Sequence, residues 1–362
     1  MKTKRFILLF CLFSIAFTGV FAQENFYSRY TGILNNNPAL LNLVQVNSKL
    51  RAYLFFTEDN TASHAVLTGM LNDQGDFFLK NEYKSDTLIK GRMSSSQLEG
   101  FYFTTSHELQ RLAFSTRDEA GSIALMPYGL SVDKKLFEER EESPSAIFES
   151  ELIVPQAEAL GQLKDSILSQ AFLEGDQNNA LSIPIQVLQQ QADTFFNNYK
   201  KLSTYDSLPS HSMQWIKSGE VGVVMNQHEL LCIETSEYVF SGGAHGMLNR
   251  LFYVFDIKSG KRLKMEDVFL AQSDSILTEL LTNEIRSRYE IHSDSSLQSF
   301  GLFVEVVEPN NNFWISNSGI GFYYNSYELA PYSYGQSDLF LPYAKLEGLL
   351  NTDLREKLQL KE

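Results

Sequence analysis

Disulfide chemistry is the first thing this sequence lacks. Of 362 residues only two are cysteine, Cys11 and Cys232, and Cys11 lies in an apolar run near the start of the chain. A single thiol in the remainder excludes an internal disulfide, so stability must come from a packed core, which a chain of this length can supply. Basic charge is also scarce: 30 Lys and Arg face 44 Asp and Glu, a formal net charge of −14. That balance disfavours contact with a phosphate backbone, and no nucleic-acid partner is expected. After residue 22 no apolar run is long enough to cross a bilayer as a helix, so no stable membrane span is expected. A G-x-S-x-G elbow, an H-E-x-x-H, a Cys-x-x-Cys and a phosphate-cradling loop are all missing. His64 and His107 stand without partners at ligand spacing, and neither a metal nor any other cofactor is expected.

What is present begins with M-K-T-K-R, an apolar stretch over residues 6–21 and small residues up to Ala22. A basic, then apolar, then small-residue order is that of a secretory signal peptide, and the stretch falls short of the roughly 20 residues a spanning helix needs. The expectation is cleavage near Ala22 and an exported chain, periplasmic or extracellular. Loss of Lys2, Lys4 and Arg5 takes the formal charge from −14 to −17. An acidic surface suits neutral or cationic partners, and solubility alone explains the same charge.

Residues 23–133 read as short β-branched and aromatic runs separated by turn residues, an antiparallel meander or barrel. An echo of aliphatic, polar and glycine residues recurs at Leu67-Thr68-Gly69, Ile89-Lys90-Gly91 and Leu98-Glu99-Gly100, with Tyr30-Thr31-Gly32 as a looser copy. Glycines inside strands mark bends where a sheet curls. Phe55, Phe77, Leu88, Phe101 and Phe103 are the inward candidates. They favour a barrel filled by its own side chains over one that carries a small ligand.

The charged run of residues 134–145, ending in Ser-Pro-Ser, is expected to be a linker. Residues 146–352 then alternate strands with helical stripes, and residues 353–362 form a tail. Helices grouped between antiparallel strands indicate an α+β sandwich, the sheet covered by helices on one face.

Within this half, Y-V-F-S-G-G-A-H-G at residues 238–246 joins two apolar runs, Leu230–Phe240 and residues 248–257. With Y-V-F-D at 253–256, G-K-R-L at 260–263, D-V-F at 267–269, F-Y-Y-N-S-Y-E-L-A-P-Y at 322–332 and L-P-Y at 341–343, this resembles a secreted domain family. It is the family found in the extracellular, lysozyme-binding part of the anti-sigma factor RsiV and fused to some peptidoglycan deacetylases. The resemblance covers residues 145–350. It implies a domain of mostly uncharacterised members, one of which binds lysozyme directly, and the expectation is an exported, non-enzymatic binding protein for a lysozyme-like protein or a peptidoglycan fragment. No sigma-binding segment and no deacetylase domain is expected here, so signalling and deacetylation are not carried over.

The candidate binding residues are Gly242, Gly243, His245, Tyr327, Glu328, Pro331 and Tyr332. A His and a carboxylate meeting in a cleft would form an acid/base pair, hence a hydrolase or deacylase. A His ring that ties down the neighbouring Tyr-Glu-Leu-Ala-Pro-Tyr segment gives a binding surface instead. Cys232, inside the apolar L-L-C-I, is expected to be a buried, inert thiol.

Overall fold

The computed structural model describes residues 25–34, 37–56, 63–82, 87–94, 96–103, 109–173, 183–204 and 213–360. Eight antiparallel strands form a closed barrel in simple meander order: β1 (Phe26–Leu34), β2 (Asn37–Val46), β3 (Lys49–Phe56), β4 (Ser63–Leu71), β5 (Asp76–Asn81), β6 (Thr87–Met93), β7 (Gln97–Phe103) and β8 (Leu109–Thr116). Pairing of Tyr30 with Thr116 closes it.

The aliphatic–polar–glycine echo is the inner wall of this barrel. Tyr30, Leu67, Ile89 and Leu98 all point inward and are buried. The glycine two residues on lies on the same face, where the strands curl most tightly. Gly91 sits opposite Gly100, and a Cβ on Gly91 would come within 2.6 Å of the Gly100 Cα. The interior is filled by apolar side chains, including Leu41, Leu43, Leu54, Phe77 and Phe114. Of the five inward candidates, Phe77 is correct. Phe55 instead points outward into the neighbouring core, Phe101 is 43% exposed, and Phe103 lies half-buried beneath the Lys90 ammonium. The Leu88 side chain and all of His107 lie outside the described residues.

The second body is built on a six-stranded sheet in the order β14-β13-β12-β11-β10-β9, whose strands are β9 (Leu125–Lys135), β10 (Ser145–Pro155), β11 (Trp215–Gln227), β12 (Leu230–Phe240), β13 (Met247–Asp256) and β14 (Arg262–Leu263). This corrects the domain plan. β9 belongs to this sheet and not to the barrel, and the charged run after it is the loop of a hairpin with β10. The crossing from barrel to sheet falls at residues 117–124. Asn226 pins it there, donating to the Ile123 carbonyl at 2.7 Å and accepting from the Ile123 N–H at 3.0 Å. β10 and β11 run parallel, because α1 (Gly161–Ile167) and α2 (Pro184–Lys200) lie between them in the chain and a parallel pair needs a long crossover.

α1 and α2 cover one face of the sheet through Leu163, Ile167, Val187 and Leu188. The opposite face receives a three-stranded sheet of β15 (Phe313–Ile315), β16 (Gly319–Tyr324) and β17 (Ser337–Pro342). Beside these strands lie α3 (Met265–Val268), α4 (Asp274–Arg288) and α5 (Thr352–Lys357). α5 occupies the expected tail, and its Leu354 is buried in the same core. The fold class is thus α+β, with the large sheet between a helical layer and a layer shared by the small sheet and the barrel wall.

The barrel meets the sheet through both oil and charge. Tyr53, Phe55 and Val66 enter the core of the small sheet, while Val44 and Val46 join the core under α1 and α2. Between them lies a buried ionic cluster. Glu234 on β12 has no exposed surface. Its carboxylate accepts from Arg51 Nε at 2.8 Å, Arg51 Nη2 at 2.6 Å and the Tyr53 hydroxyl at 2.6 Å, and it is 2.6 Å from Arg250 Nε. Arg250 also grips Glu82 of the barrel at 2.7 Å, and Arg51 reaches Glu220 on β11 at 2.8 Å. Burial pushes Glu234 upward, but the two guanidiniums and the Tyr53 hydroxyl outweigh it and hold the carboxyl below its usual range. Gly222 makes room for this approach, since a Cβ there would sit 2.8 Å from Glu234 Oε2 and 2.9 Å from the Tyr53 ring. A second tie runs from His64 on β4 to Asp338 on β17 at 3.2 Å, and Trp314 Nε1 donates to the same carboxylate at 2.9 Å.

Candidate functional site

The β12–β13 hairpin ends in the glycine loop. Gly242 and Gly243 adopt φ of +90° and +101°, which a side chain would resist. Gly246 is glycine for another reason: a Cβ would lie 2.3 Å from the Tyr238 ring. The loop thereby turns His245 outward. Its imidazole stacks on the Tyr332 ring with centroids 4.1 Å apart and planes 20° from parallel. Its Nδ1 lies 3.0 Å from the Gly246 carbonyl, which only accepts, so Nδ1 carries the hydrogen. The Tyr332 hydroxyl donates to the same carbonyl at 3.3 Å.

Tyr332 follows Pro331 at the end of a tight turn in which the Tyr327 N–H donates to the Ala330 carbonyl at 3.1 Å. Tyr327 has φ of +71°. A bulky residue in that region costs roughly 1–3 kcal/mol and persists only where its surroundings hold it. Its ring stands on the surface, 49% exposed and 5.9 Å from Tyr332, itself 39% exposed. Glu328 is exposed next to Tyr327, and no hydrogen bond or ion pair joins it to His245 among the described residues.

The structure adds residues that the sequence did not reveal. Phe303 N–H donates to the Leu329 carbonyl, which brings the irregular segment 300–306 beside the Tyr327 turn. Phe300, Phe303 and Val306 are each about half exposed. Tyr334 donates its hydroxyl to the Phe300 carbonyl at 2.7 Å and packs edge-on against Tyr289. The exposed rings of His245, Tyr327 and Tyr332 thus stand on loops adjoining those that carry the exposed Phe300, Phe303 and Tyr334. Glu305 and Glu328 stand exposed on these loops, and Glu290 and Glu308 are exposed on the flanking chain. The one available signal was three large apolar residues, Phe300, Phe303 and Val306, in a stretch with neither helix nor strand period.

Other chemical candidates are occupied by the fold. Burial pushes the Cys232 thiol up to about 12, as befits an inert core residue. A cavity of about 560 Å3 lies where residues 117–124 pass between barrel and sheet. Its polar groups hold the chain itself, Arg29 binding Glu119 at 3.1 Å and Gln227 at 2.9 Å. Among the described residues, no group of three or more His, Cys, Asp or Glu is placed to hold a metal ion, and no helix is long and apolar enough to cross a membrane.

Both family matches found by comparison with known proteins lie within the second body. Residues 266–344 match the family model described as a protein of unknown function (DUF3298), and residues 141–248 match the model described as deacetylase PdaC. The peptidoglycan-N-acetylmuramic acid deacetylase PdaC of Bacillus subtilis is 23% identical over 141 residues, 38% of this chain. The chain spans only 30% of the length of that relative. A DUF3298 family structure from Bacteroides fragilis is 21% identical, with a TM-score of 0.56, covering 66% of this chain and 99% of that one. A second, from Pseudomonas aeruginosa, is 21% identical with a TM-score of 0.47, over 65% of this chain and 98% of that one. The Bacteroides likeness shows a shared fold.

Proposed function

Since the chain carries a DUF3298 module fused to a β-barrel, we propose that it is an exported, non-enzymatic binding protein of the cell envelope whose aromatic surface recognises a cationic, lysozyme-like protein. The observation that carries this reading is a set of exposed rings on adjoining loops: His245, Tyr332 and Tyr327 in mutual contact, with Phe303 and Tyr334 on the chain beside them. Aromatic side chains at the centre of a patch supply most of the affinity of a protein interface. Exposed apolar surface of this extent is uncommon unless something covers it. The exposed carboxylates of Glu305 and Glu328 on these loops, with Glu290 and Glu308 on the flanking chain, favour a basic partner and its rapid capture. The PdaC match supports a cell-wall setting. A hydrolase or deacylase using His245 and Glu328 is less well supported, because the imidazole stacks on Tyr332 and does not meet the carboxylate.

Binding of hen-type lysozyme, read by surface plasmon resonance, tests the proposal. The double variant Tyr327→Ser/Tyr332→Ser is expected to weaken binding by about 30-fold or more, equivalent to about 2 kcal/mol, with an unchanged melting temperature. Wild-type protein that binds neither lysozyme nor another basic envelope protein, or a double variant that binds as well as wild type, contradicts it.

A further inference from the structure

The helix-covered face of the large sheet carries a groove distinct from the aromatic surface. Two cavities of about 290 and 220 Å3 share Phe172, Leu173, Gln191 and Glu237 in their walls, and so form one continuous trough. It runs from Phe195 and Asn198 on α2 across the strands to Asn249 and Leu251 on β13. Gly219 keeps the floor low, with the Ser150 hydroxyl only 3.2 Å from where a Cβ would stand.

The chemistry of the trough is neutral. Its uncharged polar groups are amides, with Asn249 and Asn198 exposed at the two ends and Gln191 donating to the Phe172 carbonyl between them, and hydroxyls such as those of Thr194 and Ser236. The charges of Lys217 and Glu237 cancel in an ion pair at 2.7 Å. The Glu151 and Glu220 carboxylates turn to the opposite, barrel-facing side of the sheet, where Arg51 holds Glu220 and Glu151 accepts the Val221 N–H. Phe195 and the 43% exposed Leu251 provide apolar surface at the two ends. β12 is paired on both sides, and the outer edge of β13 beside the trough is taken by the Asn312 and Asn325 side chains, which bind the Arg250 and Phe252 backbone, so a peptide has no free edge to extend there as an added strand. A ligand suited to this trough is uncharged and elongated, apolar on its faces, with hydroxyl and amide groups at its rim. Amide side chains pair well with a ligand amide, which donates and accepts as they do.

We propose that this groove binds an N-acetylated oligosaccharide of at least two sugar units, its ring faces against Phe195 and Leu251 and its acetamido groups hydrogen-bonded to the Asn and Gln side chains. This site is independent of the aromatic surface and stands if no protein partner exists.

Calorimetric titration of the full chain with the β-1,4-linked N-acetylglucosamine trimer tests it, with the deacetylated trimer and maltotriose as comparators. The acetylated trimer is expected to saturate one site, with the comparators about tenfold weaker or worse. Asn249→Ala and Thr194→Arg, both at exposed positions on the trough wall and rim, are each expected to weaken the trimer by about tenfold without lowering the melting temperature. Tyr327→Ser/Tyr332→Ser is expected to leave sugar binding intact, which separates this site from the protein-binding surface. A tetrasaccharide released from digested cell wall, titrated in parallel, distinguishes a wall glycan, which binds more tightly than the trimer, from other N-acetylated sugars. Absence of heat with every sugar, equal affinity for all three trisaccharides, or trimer binding untouched by both groove variants overturns the proposal.

Discussion

Replacing Glu234 by Gln is expected to destabilise the protein by about 3–5 kcal/mol, the usual consequence of removing one partner from a buried ion cluster. The carboxylate is completely enclosed and lies between Arg51 and Arg250, which are themselves almost inaccessible. An amide oxygen can still accept a hydrogen bond, but two desolvated guanidiniums would then face each other with too little negative charge between them. Urea titration followed by near-ultraviolet circular dichroism gives the loss directly. The effect has a defined pH dependence. The Glu234 carboxyl is held below its usual value, so its contribution is complete at neutral pH and disappears as the solution is acidified through the lowered folded value. The difference between variant and wild type should therefore shrink in acid. Because the cluster joins β3 and Glu82 of the barrel to β11, β12 and β13, the variant is also expected to loosen the barrel from the sheet before either melts.

Glu151→Gln has the opposite sign. Glu151 lies on the barrel-facing side of β10, and burial together with the neighbouring Glu220 pushes its carboxyl from 4.5 to about 8. In the folded protein it therefore keeps its proton to about pH 8, whereas in the unfolded chain it loses the proton near 4.5. Between those values the unfolded state binds fewer protons, and stability falls as pH rises. The wild-type protein should lose on the order of 2–4 kcal/mol from this group between pH 4.5 and 8. Gln is neutral throughout and retains an oxygen for the Val221 N–H, which Glu151 accepts at 3.2 Å. Glu151→Gln should match wild type near pH 4.5 and exceed it by about that amount at pH 8. Melting curves over this range that stay parallel for the two proteins would show that the site is open to water.

Much of the architecture was legible because local patterns carried it. The β12–β13 hairpin around its three glycines was readable almost to the residue, and the aliphatic–polar–glycine echo marked the inner wall of the barrel. What failed depended on partners distant in sequence. β9 alternates much as the barrel strands do, and nothing within it tells which sheet it will join. Phe55 and Phe77 look alike in sequence, yet one faces the second body and the other the barrel axis. Arg51, Glu234 and Arg250 lie within strands where a charge ordinarily marks a solvent face, and their burial follows only from the barrel docking on the sheet. Of the binding surface, the Tyr327 turn and His245 were visible as motifs. Phe300, Phe303 and Val306 were not, because irregular backbone has no period to read.

His245 stacks on Tyr332 and holds that ring in place on the surface. His245→Phe keeps an aromatic face for Tyr332 and abolishes any proton transfer, whereas His245→Gln removes the stacking partner. Lysozyme affinity of the three proteins, measured side by side, is expected to be within about twofold of wild type for the Phe variant and reduced about tenfold for the Gln variant. A Phe variant that fails as completely as the Gln variant, or a wild-type hydrolytic activity that both variants lose, contradicts a positioning role for this imidazole.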